Sequence, residues 1–274
     1  MTVPDVVLNN GIEIPQVGFG VWRVPGAETQ RAVKTALDAG YRHIDTAKLY
    51  GNEDGVGAAI RESRLDRGTV FVTSKVWNSD QGYDSTLRAF DATMDQLGFD
   101  VLDLYLIHWP RPEAGTAADT WRAMEKLYVD GRIRAIGVSN FRPEHLRRLL
   151  DTAEVVPAVN QVELHPYLQQ VDTRAANDAA GIATEAWAPL AKGGDLLHDP
   201  VVTRLAAKHE RTPAQVVLRW HLQLHTIVIP KSVTPSRIAE NIDVFDFDLD
   251  AEEMTAIGGL DREGRTGPHP DQVS

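Results

Sequence analysis

Eight short apolar runs alternate with segments of helical periodicity along the 274 residues of this chain. Several runs are apolar on consecutive residues, as strands buried on both faces are, and strands that alternate with helices form parallel sheets. Eight such strands close a filled barrel of roughly 250 residues. We therefore predict one α/β domain over residues 1–274, a (β/α)8 TIM barrel. Its predicted strands are 17–20, 41–45, 70–75, 101–108, 135–139, 158–163, 182–186 and 226–230.

Local signals add detail outside these strands. Asn10-Gly11, between alternating apolar residues, predicts a type I′ β-hairpin over 6–15 that caps the barrel bottom. Thr212, followed by Pro213 and Gln215, predicts a helix start with a capping box. The tail after Leu260 is rich in Gly and Pro, so we expect it to be irregular. Further helices are predicted at 27–39, 85–97 and 120–129.

Composition excludes several classes of function. The formal net charge of −11 argues against nucleic-acid and membrane-surface partners, which are anionic. The absence of cysteine excludes disulfides, thiolate zinc sites and cysteine nucleophiles. No apolar run approaches the roughly 18 residues of a membrane span, and the first residues do not resemble a signal peptide. These features predict a cytoplasmic protein.

Four polar residues that suit acid catalysis lie in or just after successive strand runs. Asp45 and Tyr50 come first, followed by Lys75 and His108, and in a barrel the strand ends meet at one rim. A free tyrosine titrates near pH 10, so we expect Lys75 to lower the Tyr50 pKa and Asp45 to keep Lys75 charged. A neutral His108 would orient a carbonyl oxygen, to which Tyr50 would donate a proton. The hydride must come from another molecule.

Two further groups of residues predict binding sites. Trp22, Trp77 and Trp109 also follow strand runs and are expected to wall an apolar substrate cavity beside His108. Segment 229–241 joins a strand end to a helix start at Thr234, with Lys231 and Arg237 nearby. That combination suits a phosphate monoester such as the 2′-phosphate of NADPH, although an ordinary capped surface helix is the alternative.

Other functions compete with this interpretation. An aldolase-type barrel would use Lys75 as a Schiff-base nucleophile, and a glycosidase would use Glu163 and Glu185, which lie near strand ends. His221 and His225 are four residues apart, but the glutamate of a zinc protease motif is missing. We interpret both histidines as helix-surface residues and predict no metal site.

Five motifs carry a resemblance to a known family. The chain resembles the aldo-keto reductases over nearly its whole length, most nearly the prokaryotic branch that includes 2,5-diketo-D-gluconate reductases. The resemblance implies the tetrad roles proposed above and an NADPH cofactor. The motifs are GYRHIDTAKLYGNE at 40–53, LYLIHWP at 104–110, GVSNF at 137–141, NQVELHP at 160–166 and 229–241.

The resemblance also implies cofactor contacts that local patterns do not reveal. Ser139, Asn140 and Gln161 would hold the nicotinamide carboxamide, and Trp187 would stack on the nicotinamide ring. Leu190 and the loop up to Gly193 would lie over the pyrophosphate. The other implied contacts are Lys231, Ser232, Val233, Thr234 and Arg237 around the 2′-phosphate, Glu240 and Asn241 near adenine, and Gly20 and Ile229 elsewhere along the cofactor.

Three features depart from the family pattern. Ala188 stands where many relatives carry serine, and Gly193-Gly194 is expected to make the adjoining loop flexible. The tail beyond Leu260 is short, and a short tail favours an open pocket. A non-catalytic NADPH-binding module of the same fold remains an alternative. We predict reversible NADPH-dependent reduction of aldehydes, ketones, dicarbonyls and keto-sugars such as 2,5-diketo-D-gluconate by a monomer.

Overall fold

A parallel eight-stranded barrel forms the centre of the computed structural model, which describes residues 3–273. Each strand pairs with its neighbour in sequence. The barrel closes where Val17 bridges Val228, with Gly18 N donating to Val228 O at 2.8 Å and Val228 N donating to Gln16 O at 2.9 Å. The strands are β3 Phe19–Gly20, β4 His43–Asp45, β5 Phe71–Val76, β6 Leu102–Ile107, β7 Ile133–Ser139, β8 Val159–Glu163, β9 Ala183–Trp187 and β10 Ile227–Val228. The predicted barrel is confirmed.

Helices surround the barrel and bury their apolar faces against it. The helix predicted after Thr212 begins at Pro213, and the Thr212 hydroxyl accepts a hydrogen bond from Gln215 N, as expected of a capping box. Among residues 3–273, no helix combines the length and apolar character needed to cross a bilayer. The helices are α1 Gly26–Asp38, α2 Glu53–Ser63, α3 Tyr83–Leu97, α4 Ala117–Val129, α5 Pro143–Leu150, α6 Val171–Ala179, α7 Pro200–His209, α8 Pro213–Gln223, α9 Pro235–Ile242 and α10 Ala251–Gly258.

The N-terminal hairpin, β1 Asp5–Val7 and β2 Glu13–Pro15, caps the barrel bottom as predicted. Leu8 and Ile14 pack against Phe71 and Val159, which begin β5 and β8. The predicted type I′ turn is wrong, because Gly11 N donates to Leu8 O at 2.9 Å and only Gly11 in this described loop has a positive φ, of 80°. A type I′ turn needs two positive φ angles, whereas this three-residue loop places glycine after the turn.

The interpretation of His221 as a surface residue is also wrong. His221 lies in α8 with no exposed surface, and its Nε2 donates to Pro189 O at 3.1 Å. Burial lowers its pKa to about 3, so the ring is neutral. His225 is exposed and follows the helix. The four-residue spacing of His221 and His225 suggested one shared helix face. It could not predict that the loop after β9, which contains Pro189, covers His221.

Candidate active site

The carboxyl ends of the barrel strands open into a cavity of about 1130 Å³. The side chains proposed from the sequence for binding a cofactor and a substrate all line it, as do Asp45, Tyr50 and His108 of the tetrad. Lys75 lies below this surface and has no exposed area. Residues from eight strand ends and the segments after them therefore meet at one rim, as the barrel topology requires.

Asp45 and Lys75 form a buried ion pair at the cavity floor. Asp45 ends β4, and Lys75 lies in the neighbouring strand β5. The Lys75 Nζ donates to Asp45 Oδ1 at 2.7 Å, to Asp45 Oδ2 at 2.8 Å and to Thr46 O at 2.9 Å. Burial lowers the pKa of Lys75, but the charge of Asp45 and its hydrogen bonds to the ammonium outweigh the effect of burial, and the pKa is raised overall. Lys75 is therefore a charged ammonium.

Tyr50 ends a 3-10 turn, Lys48–Tyr50, directly above this pair. Asn52, two residues after Tyr50, is fixed to the segment after β3, because its Nδ2 donates to Val21 O and Val24 O, both at 3.1 Å. The Lys75 Nζ lies 5.3 Å from the centre of the Tyr50 ring. Burial raises the pKa of Tyr50 to about 12, although Lys75 lowers it. The expected direction of the Lys75 effect is therefore present, but burial outweighs it and Tyr50 keeps its proton at neutral pH.

His108 follows β6 and is surrounded by aromatic rings. Its ring centre lies 5.1 Å from Trp77, 5.9 Å from Tyr50 and 6.4 Å from Trp109. Burial, together with the Lys75 charge, lowers the pKa of His108 well below its usual value. The imidazole is therefore neutral, the state in which it can orient a carbonyl oxygen without competing for the proton of Tyr50.

The outer cavity is walled by apolar side chains. Trp22 is 38% exposed, and Leu49, next to Tyr50, is 47% exposed. The Arg23 guanidinium lies 4.4 Å from the centre of the Trp22 ring, and the Lys192 ammonium lies 5.4 Å from it. Trp22 is predictable from the sequence, whereas Leu49, Arg23 and Lys192 are not, since no local pattern distinguishes these three side chains from ordinary loop residues.

Polar side chains on β7, β8 and β9 form a connected group at the cavity floor. Ser139 Oγ donates to Gln161 O at 2.8 Å, and Trp187 Nε1 donates to Asn140 Oδ1 at 2.8 Å. Gln161 Nε2 donates to Asp45 Oδ2 and to Glu185 Oε2, both at 2.8 Å. These hydrogen bonds fix the orientation of each amide and of the Trp187 ring at the cavity floor.

The far end of the cavity is suited to an anion. Lys231 and Arg237 are exposed there, and among residues 3–273 neither has a carboxylate within 4 Å. Helix α9 starts between them, and the Thr234 side chain makes no capping hydrogen bond. The backbone N–H groups in the first turn of α9, together with the cations of Lys231 and Arg237, suit a phosphate. Gly20, Leu190, Gly193, Ile229, Ser232, Val233, Glu240 and Asn241 complete the lining predicted from the sequence.

The C-terminal tail forms one wall of the cavity and is anchored by the buried carboxylate of Glu163. Glu163 Oε1 accepts hydrogen bonds from Thr266 N and Thr266 Oγ1, both at 2.6 Å, and Gly267 N donates to the same carboxylate. Gly267, Pro268 and Val273 line the cavity. Lys192 Nζ donates to Thr266 O at 2.7 Å, which links the loop after β9 to the tail. The tail is irregular as predicted except for one 3-10 turn, Pro270–Gln272, and despite its short length it lines part of the pocket.

The competing chemistries find little support in this geometry. A Schiff base requires a neutral amine, whereas Lys75 is charged, buried and fully engaged in hydrogen bonds. Glycosidase carboxyls must reach the substrate, but Glu163 and Glu185 have no exposed surface and do not line the cavity.

Comparisons with known proteins agree with this geometry. The model of the Aldo/keto reductase family matches residues 16–262. An aldo-keto reductase of Mycobacterium sp. (strain JLS) is 57% identical over 98% of both chains, and the glyoxal reductase of Bacillus subtilis (strain 168) is 52% identical over 98% of this chain and 96% of that protein. The crystal structure of a Gox0644 mutant in complex with NADPH superposes with a TM-score of 0.96, at 49% identity over 100% of both chains.

Proposed function

This chain belongs to the aldo/keto reductase family, and we propose that it is an NADPH-dependent oxidoreductase that reduces aldehydes, ketones and dicarbonyls to alcohols. The observation that carries the proposal is the buried Lys75–Asp45 pair beneath a protonated Tyr50 and a neutral His108. One general acid and one neutral hydrogen-bond donor beside an apolar cavity suit a carbonyl group whose oxygen gains negative charge.

Tyr50 is proposed as the proton donor. It is protonated at neutral pH, and the ammonium of Lys75 stabilises the phenolate that remains after the proton has left. Asp45 keeps Lys75 charged and fixed in place. The neutral imidazole of His108 orients the carbonyl oxygen toward the Tyr50 hydroxyl. These roles need no movement of the buried pair during turnover.

NADPH supplies the hydride when it is bound. Ser139, Asn140 and Gln161 are proposed to hold its carboxamide, with Trp187 against the nicotinamide ring, because these side chains are fixed at the cavity floor next to the tetrad. Lys231 and Arg237 would hold the 2′-phosphate, since both are free of carboxylate partners in the described residues. The contacts proposed from the sequence at Gly20, Leu190, Gly193, Ile229, Ser232, Val233, Thr234, Glu240 and Asn241 lie along the same cavity.

The substrate end of the cavity favours small or flat carbonyl compounds. Trp22, Trp77 and Trp109 supply most of its aromatic wall, and relatives include glyoxal reductase and a methylglyoxal reductase of Yersinia pestis. We propose dicarbonyls as the first substrates to test and keto-sugars such as 2,5-diketo-D-gluconate as the second. Discrimination between them depends on the cavity walls. One methylene more or less in an apolar pocket changes the ratio of kcat/KM values for two substrates by about 10- to 200-fold.

The test is to follow NADPH and NADH absorbance against a panel of aldehydes, ketones, dicarbonyls and keto-sugars. Consumption of NADPH with equimolar alcohol formation supports the proposal. Covalent modification of a lysine after borohydride treatment, without NADPH consumption, would support an aldolase instead. Tight NADPH binding without turnover of any carbonyl would favour a binding module.

A single domain over residues 1–274 acting as a monomer is proposed because one copy of the chain supplies every residue assigned to the site. Sedimentation at micromolar concentration, with and without NADPH, tests the monomer. The cytoplasmic location and the lack of a nucleic-acid partner stay predictions from the sequence.

A further inference from the structure

A second buried carboxyl group, Glu185 of β9, lies beside the tetrad and has no part in the roles proposed above. Glu185 has no exposed surface. Its Oε2 and the Oδ2 of Asp45 both accept a hydrogen bond from Gln161 Nε2, each at 2.8 Å. One amide group therefore joins Glu185 to the carboxylate that holds Lys75.

The groups around Glu185 provide one positive charge for two carboxyl groups. Asp45 and His43 of β4 face Glu185, and His43 Nε2 lies 3.6 Å from Glu185 Oε1. Lys75 of β5 also faces Glu185, and Tyr50 lies above the group. Its register partner on β10 is the apolar Ile227. Lys75 is already committed to Asp45 and Thr46.

His43 does not supply the missing charge. Burial lowers its pKa to about 3, so the ring is neutral at physiological pH. An ionised Glu185 would therefore be an unpaired negative charge in the barrel interior, which is strongly unfavourable. In agreement with this charge count, burial and then the charge of Asp45 raise the pKa of Glu185 to about 8.

We propose that Glu185 is a positioning residue for carbonyl reduction, which works with a proton on Oε1 while Oε2 holds Gln161 and, through it, Asp45. The assignment of the proton follows from geometry. Oε2 accepts from Gln161, whereas Oε1 has no hydrogen-bond partner among the described residues and faces the neutral ring of His43. The proposal rests on the function proposed above.

While Glu185 is neutral, it adds no negative charge that would oppose the lowering of the Tyr50 pKa by Lys75. When Glu185 ionises, its charge raises the pKa of both Tyr50 and Lys75, so the phenol becomes a weaker acid. Reduction should then slow as pH rises through the ionisation of Glu185, although Tyr50 itself is still protonated. Glu185 thereby sets the alkaline limit of the reaction without touching substrate.

The test compares pH profiles of kcat for reduction in the wild-type enzyme, Glu185→Gln and a control, Glu125→Gln. Glutamine is always neutral and can still accept the hydrogen bond from Gln161. Glu125 is a buried glutamate of α4 whose Oε1 accepts from Glu154 N and Val155 N, away from the cavity. We expect kcat of the wild type and of the control to fall by roughly tenfold between pH 7 and pH 9, and that of Glu185→Gln by less than about twofold.

Superimposable profiles for Glu185→Gln and the wild type would overturn the proposal. Should Glu185→Gln not fold, Glu185→Asp keeps a carboxyl group and should keep the alkaline decline with a lower kcat; loss of that decline would equally overturn it.

A second measurement reads the proton without using activity. The infrared carbonyl band of a neutral carboxyl group should be present in the wild-type protein at pH 6.5, disappear with a midpoint near 8, and be absent from Glu185→Gln or shifted in Glu185→Asp. Absence of this band at pH 6.5 would exclude a proton on Glu185. Presence of the band in a protein without reductase activity would instead contradict the proposed function alone.

Discussion

The Lys75 ammonium donates hydrogen bonds to both oxygens of the Asp45 carboxylate, at 2.7 and 2.8 Å, with at most 3% of either side chain exposed. Removing one member of a buried pair leaves the other charge without compensation, which costs about 3–5 kcal/mol. The pair therefore couples the stability of the barrel to the chemistry at its rim.

Lys75→Met should lower the free energy of unfolding by about 3–5 kcal/mol and abolish most turnover, since Asp45 loses its cation and Tyr50 loses its neighbour. Urea denaturation measures the first effect and NADPH oxidation the second. The double variant Asp45→Asn with Lys75→Met should be less destabilised than the sum of the two single variants. Additive losses would mean that the two side chains do not act as a pair.

Tyr50→Phe should lower kcat by about 10²- to 10⁴-fold, because a positioned acid contributes an effect of this size. The dissociation constant for NADPH, measured by tryptophan fluorescence, should change less than about threefold, since the phenol hydroxyl is the only group removed. Tyr128→Phe on α4, outside the cavity lining, is the matched control. Undiminished turnover in Tyr50→Phe would remove its role as the acid.

Arg237→Leu and Lys231→Met should each raise KM for NADPH by about 10- to 100-fold and leave KM for NADH nearly unchanged, because a hydrogen bond to a charged group is worth about 1.5–3 kcal/mol. Steady-state kinetics with both cofactors measure the ratio. Arg88→Leu, an exposed residue of α3, removes the same charge from a distant surface. An equal loss with NADPH and NADH would place the 2′-phosphate elsewhere.

Gly267→Ala should weaken NADPH binding by roughly tenfold. A Cβ at position 267 would lie 2.5 Å from Trp187 Cη2, so either the tail or the Trp187 ring, which is proposed to contact the nicotinamide, must shift. Gly258→Ala in α10 is the control, because a Cβ there meets nothing within 4 Å. Fluorescence titration with NADPH measures the difference. Equal affinity in both variants would show that the tail yields without moving Trp187.

His221→Gln should make stability less sensitive to acid. The folded state holds His221 neutral with its pKa near 3, against about 6.5 when unfolded, so unfolding takes up a proton in this range. Stability is then lost as pH falls from about 6.5 toward 3, at up to about 1.4 kcal/mol per pH unit for one group, and is unaffected above 6.5. Urea denaturation at pH 7 and pH 5 should show a smaller difference in the variant. An unchanged difference would mean that His221 is not buried neutral.

Much of the site was predictable because its residues lie in or just after apolar strands. The positions of Asp45, Tyr50, Lys75 and His108 relative to those strands follow from the sequence, and barrel topology then brings strand ends together. Gly18, just before β3, leaves room for the ring of His43, since a Cβ there would lie 2.4 Å from His43 Nδ1. Because β3 and β4 are distant in sequence, no local pattern predicts this contact.

The amino-acid sequence by itself determined the barrel, its helices and the residues at its rim, because the periodicity of apolar side chains acts over a few residues. Tertiary structure alone decided that His221 is covered, that Glu163 holds the tail, and that Glu185 shares Gln161 with Asp45. It also decided that burial outweighs Lys75 in setting the pKa of Tyr50. These properties depend on desolvation and on contacts between distant segments, and neither is encoded in the spacing of neighbouring residues.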